Sequence, residues 1–442
     1  MKRATSLAGL TVTTAVAVAC AVVPATLVAT RGEPSRAPGL SAPAAASAHW
    51  VHTWSAMPQL TEPGNMPPAP FTGTDRVLDH TTLRQTVHLS LGGERIRLRF
   101  SNAFGGTSLP ITGVSVALPA GGRAGVSAVV PGSSRTVTFG GQPGIEIPKG
   151  AQTVSDPLDL DVPPGGNLTV TLYLERGQAS TDITSHPGSR TTSYLVDGNH
   201  LDDQELTGAT PVDHWYFLSG VETLARRPAS ATVLLGDSLT DGRGSTTNGN
   251  DRWPDQLLTR LQADRGTAGV ALVNEAAGGN RVLRDGLGPN VLARLDRDVL
   301  ATSGVDRLLV FEGVNDIGTA EATPAAMRQI TAELVGAYRQ IVARAHAQGI
   351  RVYGATLTPL TGHAYDDPDG LRESARQAVN RWIRTSGTFD AVVDFDATVR
   401  DPQDPRRLLP AYDTGDHLHL NPAGYRALAQ AVPLGLFRGQ PR

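Results

Sequence analysis

The stretch ATVLLGDSLTDG, residues 231–242, decides how this chain is read. An uncharged, mostly apolar run over residues 231–235 stops abruptly at Gly236-Asp237-Ser238. A short apolar run bounded by turn formers fits a buried strand, and Gly, Asp and Ser are among the strongest turn formers. The pattern therefore predicts Ser238 at the exposed end of a buried strand, with a helix opening downstream at Trp253-Pro254-Asp255.

Beyond that point strands and helices alternate. Strand patterns cover residues 232–235, 271–274, 307–311, 351–356 and 391–394. Helical periodicity covers 253–264, 291–301, 324–348, 370–385 and 422–430. Such alternation predicts an α/β fold over residues 229–442, a doubly wound parallel sheet covered on both faces, with its site at the C-terminal ends of the strands.

Upstream the texture is different. Residues 50–222 show period-two alternation and many turn residues, and no long helical stretch. Residues 86–91 and 95–100 alternate around Gly92-Gly93 and read as a hairpin. Further strand patterns lie at 111–117, 135–139, 168–174 and 215–221. Short strands separated by Gly and Pro predict an all-β, jelly-roll-like sandwich over residues 49–226. Residues 224–230, LARRPAS, read as the connection between the two domains.

Residues 1–48 have the order of a secretory signal: Lys2-Arg3, then an uncharged stretch over 4–30, then a Pro/Ala/Ser-rich segment ending in Ala46-Ser47-Ala48. Export follows, with no stable membrane span once the signal is cleaved; an uncleaved anchor, or lipid attachment at Cys20, are the alternatives. Cys20 is the only cysteine, so neither an intramolecular disulfide nor a Cys-rich metal site can form. A net charge of -3 and the lack of a basic block give no reason to expect nucleic acid or an anionic membrane as partner. At 442 residues the chain can hold two sizeable cores. Oligomeric state is not legible in it.

A serine hydroxyl is a weak nucleophile unless a base takes its proton. In YDTGDHLHLNPAGY, residues 412–425, Asp416 precedes His419 by three positions, and Asn421-Pro422 can cap the final helix. Asp416 can then accept the Nδ1 proton of His419 and leave Nε2 to face Ser238. His417 is the decoy, since an extended segment would point it the other way. A tetrahedral intermediate also needs donors for its oxyanion. The N–H of Ser238, the N–H of Gly279 within residues 274–281 (NEAAGGNR) and the side-chain amide of Asn315, placed with help from Gly313 and Asp316, can supply them. These groups would suit a nucleophilic attack on an acyl carbon, with no metal and no organic cofactor.

Four blocks, GDSLTDG at 236–242, NEAAGGNR at 274–281, GVND at 313–316 and DHLH at 416–419, resemble those of the SGNH hydrolases, the GDSL-type esterases named for their Ser, Gly, Asn and His. The resemblance covers about residues 229–442. It implies Ser238 as nucleophile, Gly279 and Asn315 as oxyanion donors, and Asp416 and His419 as orienter and base. The second block departs from the usual Asn-x-Gly in carrying Ala276, which leaves Gly278 and Gly279 both open as the donor. Residues 49–226 look similar to the β-domains preceding the catalytic domain in some secreted bacterial carbohydrate esterases.

The expected function is a secreted serine esterase acting through an acyl-enzyme on O-acetylated carbohydrate or short-chain acyl esters. The alternatives are a lipid acyl hydrolase, a carbohydrate- or surface-binding protein with a vestigial hydrolase domain, and an acyltransferase. His363, Asp366 and Asp367 read as a solvated loop near the site, or as a cation or cleft-lining group. Residues 248–251 read as a pocket rim, and Arg281 as either a substrate contact or a brace. Gly242-Arg243-Gly244 lacks the ending of a phosphate-binding loop.

Overall fold

Five parallel strands form the sheet that carries the site, in the spatial order Val270–Asn274, Ser230–Gly236, Val305–Phe311, Arg351–Ala355, Ala391–Val393. This is a computed structural model, which describes residues 48–438. Residues 1–47, with the proposed signal and Cys20, lie outside the described residues. The Ser230–Gly236 strand, second in that order, is buried on both faces because its side chains alternate between two cores. Ala231, Val233 and Leu235 join a cluster with the Pro324–Ala347 and Leu371–Thr385 helices. Leu234 joins a second cluster with the Trp253–Ala263 and Pro422–Ala431 helices. From this strand the chain goes first to one side of the sheet and then to the other. Order reversals of this kind open a crevice at the C-terminal strand ends, and Ser238 stands there.

The β-rich region contains a five-stranded and a six-stranded sheet, both antiparallel, with smaller three- and two-stranded sheets beside them. Its apolar core includes Leu83, Leu98, Val170 and Leu172, with Trp54 set edge-on to Trp215 at 4.9 Å between ring centroids.

The hairpin expected around Gly92-Gly93 does not form. The Val77–His88 strand pairs with Asn167–Gln178 and Ser193–Asp197 in the six-stranded sheet. The Gly93–Ser101 strand pairs with Leu218–Arg226 and Leu158–Val162 in the other sheet. Residues 89–92 cross from sheet to sheet, and their amides go elsewhere: Leu89 N–H to the Gly166 carbonyl at 2.8 Å and Ser90 N–H to that of Thr53 at 2.8 Å. Gly92 is needed for clearance, since a Cβ there would lie 2.2 Å from the Val162 carbonyl oxygen. A glycine pair that serves a close crossing has the same sequence signature as one that serves a tight turn.

The connection read at 224–230 is shorter in the structure. The Leu218–Arg226 strand runs on to pair Arg226 with Ala48, so only residues 227–229 separate it from Ser230–Gly236. The described residues belong to one compact unit. Val51 and Leu91 of the β-rich region pack into the core of the α/β region, and His52 N–H reaches the Ser303 carbonyl at 2.9 Å. Among the described residues no helix is long and apolar enough to cross a membrane.

Candidate active site

The turn at Ser238 follows from its own sequence. Asp237 caps the one-turn helix Ser238–Asp241, its carboxylate accepting the Leu239 N–H at 3.0 Å. Gly242, at φ 101°, ends that turn. The cap holds Ser238 at the first helical position, where a backbone N–H has no intrahelical acceptor. Ser238 Oγ lies 2.8 Å from His419 Nε2, and His419 Nδ1 lies 2.6 Å from Asp416 Oδ2. Asp416 is held in turn, because its Oδ1 accepts the N–H groups of His419 and Leu418 at 2.8 and 3.1 Å. These bonds keep its carboxyl well below the usual range despite partial burial. Burial lowers the affinity of His419 for a proton, and Arg243 and His363 add to that effect against the opposing pull of Asp416. Neutral imidazole with a free Nε2 lone pair is the form that can accept a proton from the serine hydroxyl.

His417 takes a positive φ of 65° and bonds Asp413 at 2.7 Å, away from the serine. Asn421 caps the last helix as expected, accepting the N–H groups of Ala423 and Gly424 at 3.0 Å each.

Gly278 and Gly279 differ in their hydrogen bonding. Gly278 N–H is committed to Asp241 Oδ2 at 3.1 Å, whereas Gly279 N–H has no acceptor among the described residues. Gly279 has φ +72°, and a Cβ there would meet Leu287 at 2.5 Å, so the position requires glycine twice over. Asn315 lies in the Val314–Thr319 helix, not in a simple turn. Its Nδ2 donates one hydrogen to the Asn280 carbonyl at 2.9 Å, and its Oδ1 accepts from the Tyr365 hydroxyl at 2.9 Å. The amide is thereby oriented and keeps one N–H for another acceptor. Asp316 acts on the backbone of the neighbouring loop, accepting the N–H groups of Val282 and Leu283 at 2.9 and 3.0 Å.

Ser238, Gly279, Asn315 and His419 all open onto one cleft of about 530 Å³. One wall comes from the β-rich region through Gln59, Glu62, Asn65, His186 and Arg190. The sequence reading missed this wall, and it also missed Tyr365, whose only signal was an aromatic residue inside a polar loop. Of the loop it did single out, His363 lines the cleft, whereas Asp366 binds the Gly362 amide and Asp367 caps the start of the Leu371–Thr385 helix. Among the described residues no cluster of His, Cys, Asp and Glu is arranged to hold a metal. Arg281 braces its own loop through Asp285 and Thr319. Asn248, expected at the rim, docks instead on Thr192 of the β-rich region.

Residues 234–427 match the family model of the GDSL-like lipase/acylhydrolases. That segment is a GDSL-like lipase/acylhydrolase domain, and it holds the four blocks that resemble those of the SGNH hydrolases. No curated protein matches the chain. Among solved structures it is similar to Axe2, an acetylxylan esterase from Geobacillus stearothermophilus, at 23% identity and TM-score 0.35 over 46% of this chain and 93% of that one. It is similar also to the acetyl xylan esterase AlAXEase at 20% identity and TM-score 0.34 over 46% and 96%. A third is LAE5, an alpha/beta hydrolase enzyme from the metagenome of Lake Arreo, Spain, at 20% and 0.35 over 48% and 97%.

Proposed function

We propose that this protein is a secreted serine esterase that cleaves short acyl groups from polar alcohols, O-acetylated carbohydrate first among them, through an acyl-enzyme on Ser238. The observation that carries the reading is the continuous hydrogen-bonded line Ser238–His419–Asp416 beside uncommitted donors at Gly279 and Asn315. In the first half-reaction Ser238 Oγ bonds to the ester carbonyl carbon as its proton passes to His419 Nε2. The carbonyl oxygen becomes an oxyanion, accepted by the N–H groups of Ser238 and Gly279 and by the free N–H of Asn315. The C–O bond to the alcohol then breaks, and His419 returns the proton to the leaving oxygen. In the second half, water gives its proton to the same nitrogen, attacks the acyl carbon and releases the acid and the serine.

The cleft supports a polar substrate. Its β-rich wall carries the polar side chains of Gln59, Glu62, Asn65 and Arg190, and its aliphatic lining is Pro187, Leu287 and Leu418, with the Tyr365 ring beside them. Residues 49–226 and 229–442 are read as a jelly-roll-like domain and a doubly wound hydrolase domain, and the leader at residues 1–48 supports export.

Hydrolysis of 4-nitrophenyl esters from acetyl to long acyl, by the protein and by Ser238→Ala, tests the reading. The expected outcome is a short-chain optimum and a loss of at least about 10⁴-fold in kcat on Ser238→Ala. A long-chain optimum would move the assignment to lipid acyl hydrolysis. Equal turnover by the variant would remove the mechanism.

A further inference from the structure

His186 is used by no step of that reaction, yet it carries a contact from the β-rich region to the turn that begins at Ser238. It ends the Thr184–His186 strand and is 3% exposed. Its Nδ1 lies 3.0 Å from the Met57 carbonyl, and because a carbonyl only accepts, Nδ1 donates. Its Nε2 is in hydrogen-bond contact with Asp241 Oδ1 at 2.9 Å. Asp241 closes the helical turn that begins at Ser238, and its other oxygen is the acceptor of the Gly278 N–H. A single buried carboxylate thus joins the β-rich region, the nucleophile turn and the glycine loop. The fit is close: a Cβ on Gly188 would fall 1.9 Å from Asp241 Oδ2. The His186 ring is held by Trp215, stacked on it at 5.8 Å and 29°, and Trp215 is itself pinned through Nε1 to the Thr86 carbonyl at 3.1 Å.

We infer that His186 is a positioning residue for ester hydrolysis at Ser238: by holding Asp241 it fixes the Gly278 amide and so aims the adjoining Gly279 N–H at the oxyanion. The inference rests on the roles proposed for Ser238 and Gly279. Its physical basis is the competition at the glycine pair. Two successive amides border the cleft, and glycine lets the peptide between them rotate at little cost. A carboxylate is a stronger acceptor than a neutral carbonyl, so Asp241 holds one amide and leaves the other for the transition state. Without His186, Asp241 would be a buried carboxylate lacking its partner, an unfavourable state that rotation of its side chain relieves. The β-rich region then belongs to the catalytic apparatus, because the oxyanion hole is set from outside the α/β sheet.

The test uses the full-length chain, with His186→Ala, His186→Gln and Ser238→Ala. It measures kcat and KM on 4-nitrophenyl acetate, the thermal midpoint, and inhibition by a small alkylboronic acid, which bonds to the serine oxygen and places a boronate oxygen in the oxyanion site. The expected result for His186→Ala is a fall in kcat of about 10- to 100-fold with KM within about twofold, matched by a similar weakening of boronate. His186→Gln, whose amide can still donate to Asp241, should recover much of both. Unchanged kcat and boronate affinity in folded His186→Ala would overturn the inference, as would a fall in kcat with unchanged boronate affinity. If the alanine variant does not fold, His186→Met decides, since it fills the space and cannot donate: a matched loss in kcat and boronate affinity supports the inference, and wild-type values of both overturn it. Wild-type turnover that does not depend on Ser238 would instead overturn the reading of the site, and this inference with it.

Discussion

Glu222 in the β-rich region and Glu312 in the α/β region are both buried, and their surroundings are opposite. Glu222 is bonded by Arg97 and by Arg99 at 3.0 Å, by Ser303 at 2.9 Å, and lies 3.3 Å from His52. Burial pushes its carboxyl up, but His52, Arg97 and Arg99 outweigh this and hold it below the usual value. Neither carboxylate oxygen of Glu312 has a hydrogen-bond partner. Burial and the nearby Asp237 and Asp316 push it well up. Burial, with Asp316 and Asp241 nearby, raises Asp237 beneath Ser238 to about 7, and burial alone raises Asp316 to about 6 against the Val282 and Leu283 amides and Arg281. One region neutralises its buried charge with fixed cations, whereas the other gathers acids beneath Ser238 with little compensation. Strain of this kind tends to collect at functional sites, where stability is given up for chemistry.

The sharpest way to break the contrast is Glu222→Gln, which leaves Arg97 and Arg99 without their carboxylate. It should cost about 3 to 5 kcal/mol in denaturant unfolding while kcat of the folded fraction stays near wild type. Asn315→Ala should do the reverse. It removes an oriented donor, so kcat should fall by about 10²- to 10³-fold, roughly 3 to 4 kcal/mol, with a much smaller change in the unfolding midpoint.

Glu312→Met should stabilise the protein at pH 8 by about 1 to 4 kcal/mol, because an apolar side chain of similar size removes an uncompensated buried acid. The sign also appears against pH. Groups raised in the folded state, such as Asp237 and Asp316, hold protons that the unfolded chain has lost, so stability falls as pH rises from about 4 through about 7. Glu222 works the other way: its contribution is present above about pH 4 and is lost as pH falls through its depressed value. The Glu312→Met variant should flatten the first limb, and Glu222→Gln the second, in unfolding measured from pH 3 to 8.

The smallest effect is Arg243→Ala. Arg243 helps to depress the His419 ionisation, so the acid limb of kcat/KM, expected below pH 6.5 in the wild type, should move to higher pH in the variant. A limb that stays in place would remove Arg243 from the electrostatics of the base.

Local features were legible wherever the chain solves its problem with neighbours in sequence. The Ser230–Gly236 strand, the Asn421 cap and the Asp416–His419 spacing each depend on residues a few positions apart. The Gly92-Gly93 reading failed because the constraint on Gly92 comes from Val162, about seventy positions away. Tyr365 went unseen for the same reason, since its partner Asn315 lies fifty positions upstream.

The sequence by itself determined the alternation that builds the parallel sheet, the serine at a strand end and the Asp416–His419 pairing within one loop. All of these follow from periodicity, capping and short-range spacing. Only the tertiary structure decided which glycine amide remains free, since that depends on where the Asp241 carboxylate points. It alone decided that the cleft has a second wall and that His186 stands behind Asp241 and the Gly278-Gly279 loop. Those arrangements join residues far apart in the chain through packing between two regions, and no local pattern encodes the distance between surfaces that meet only on folding.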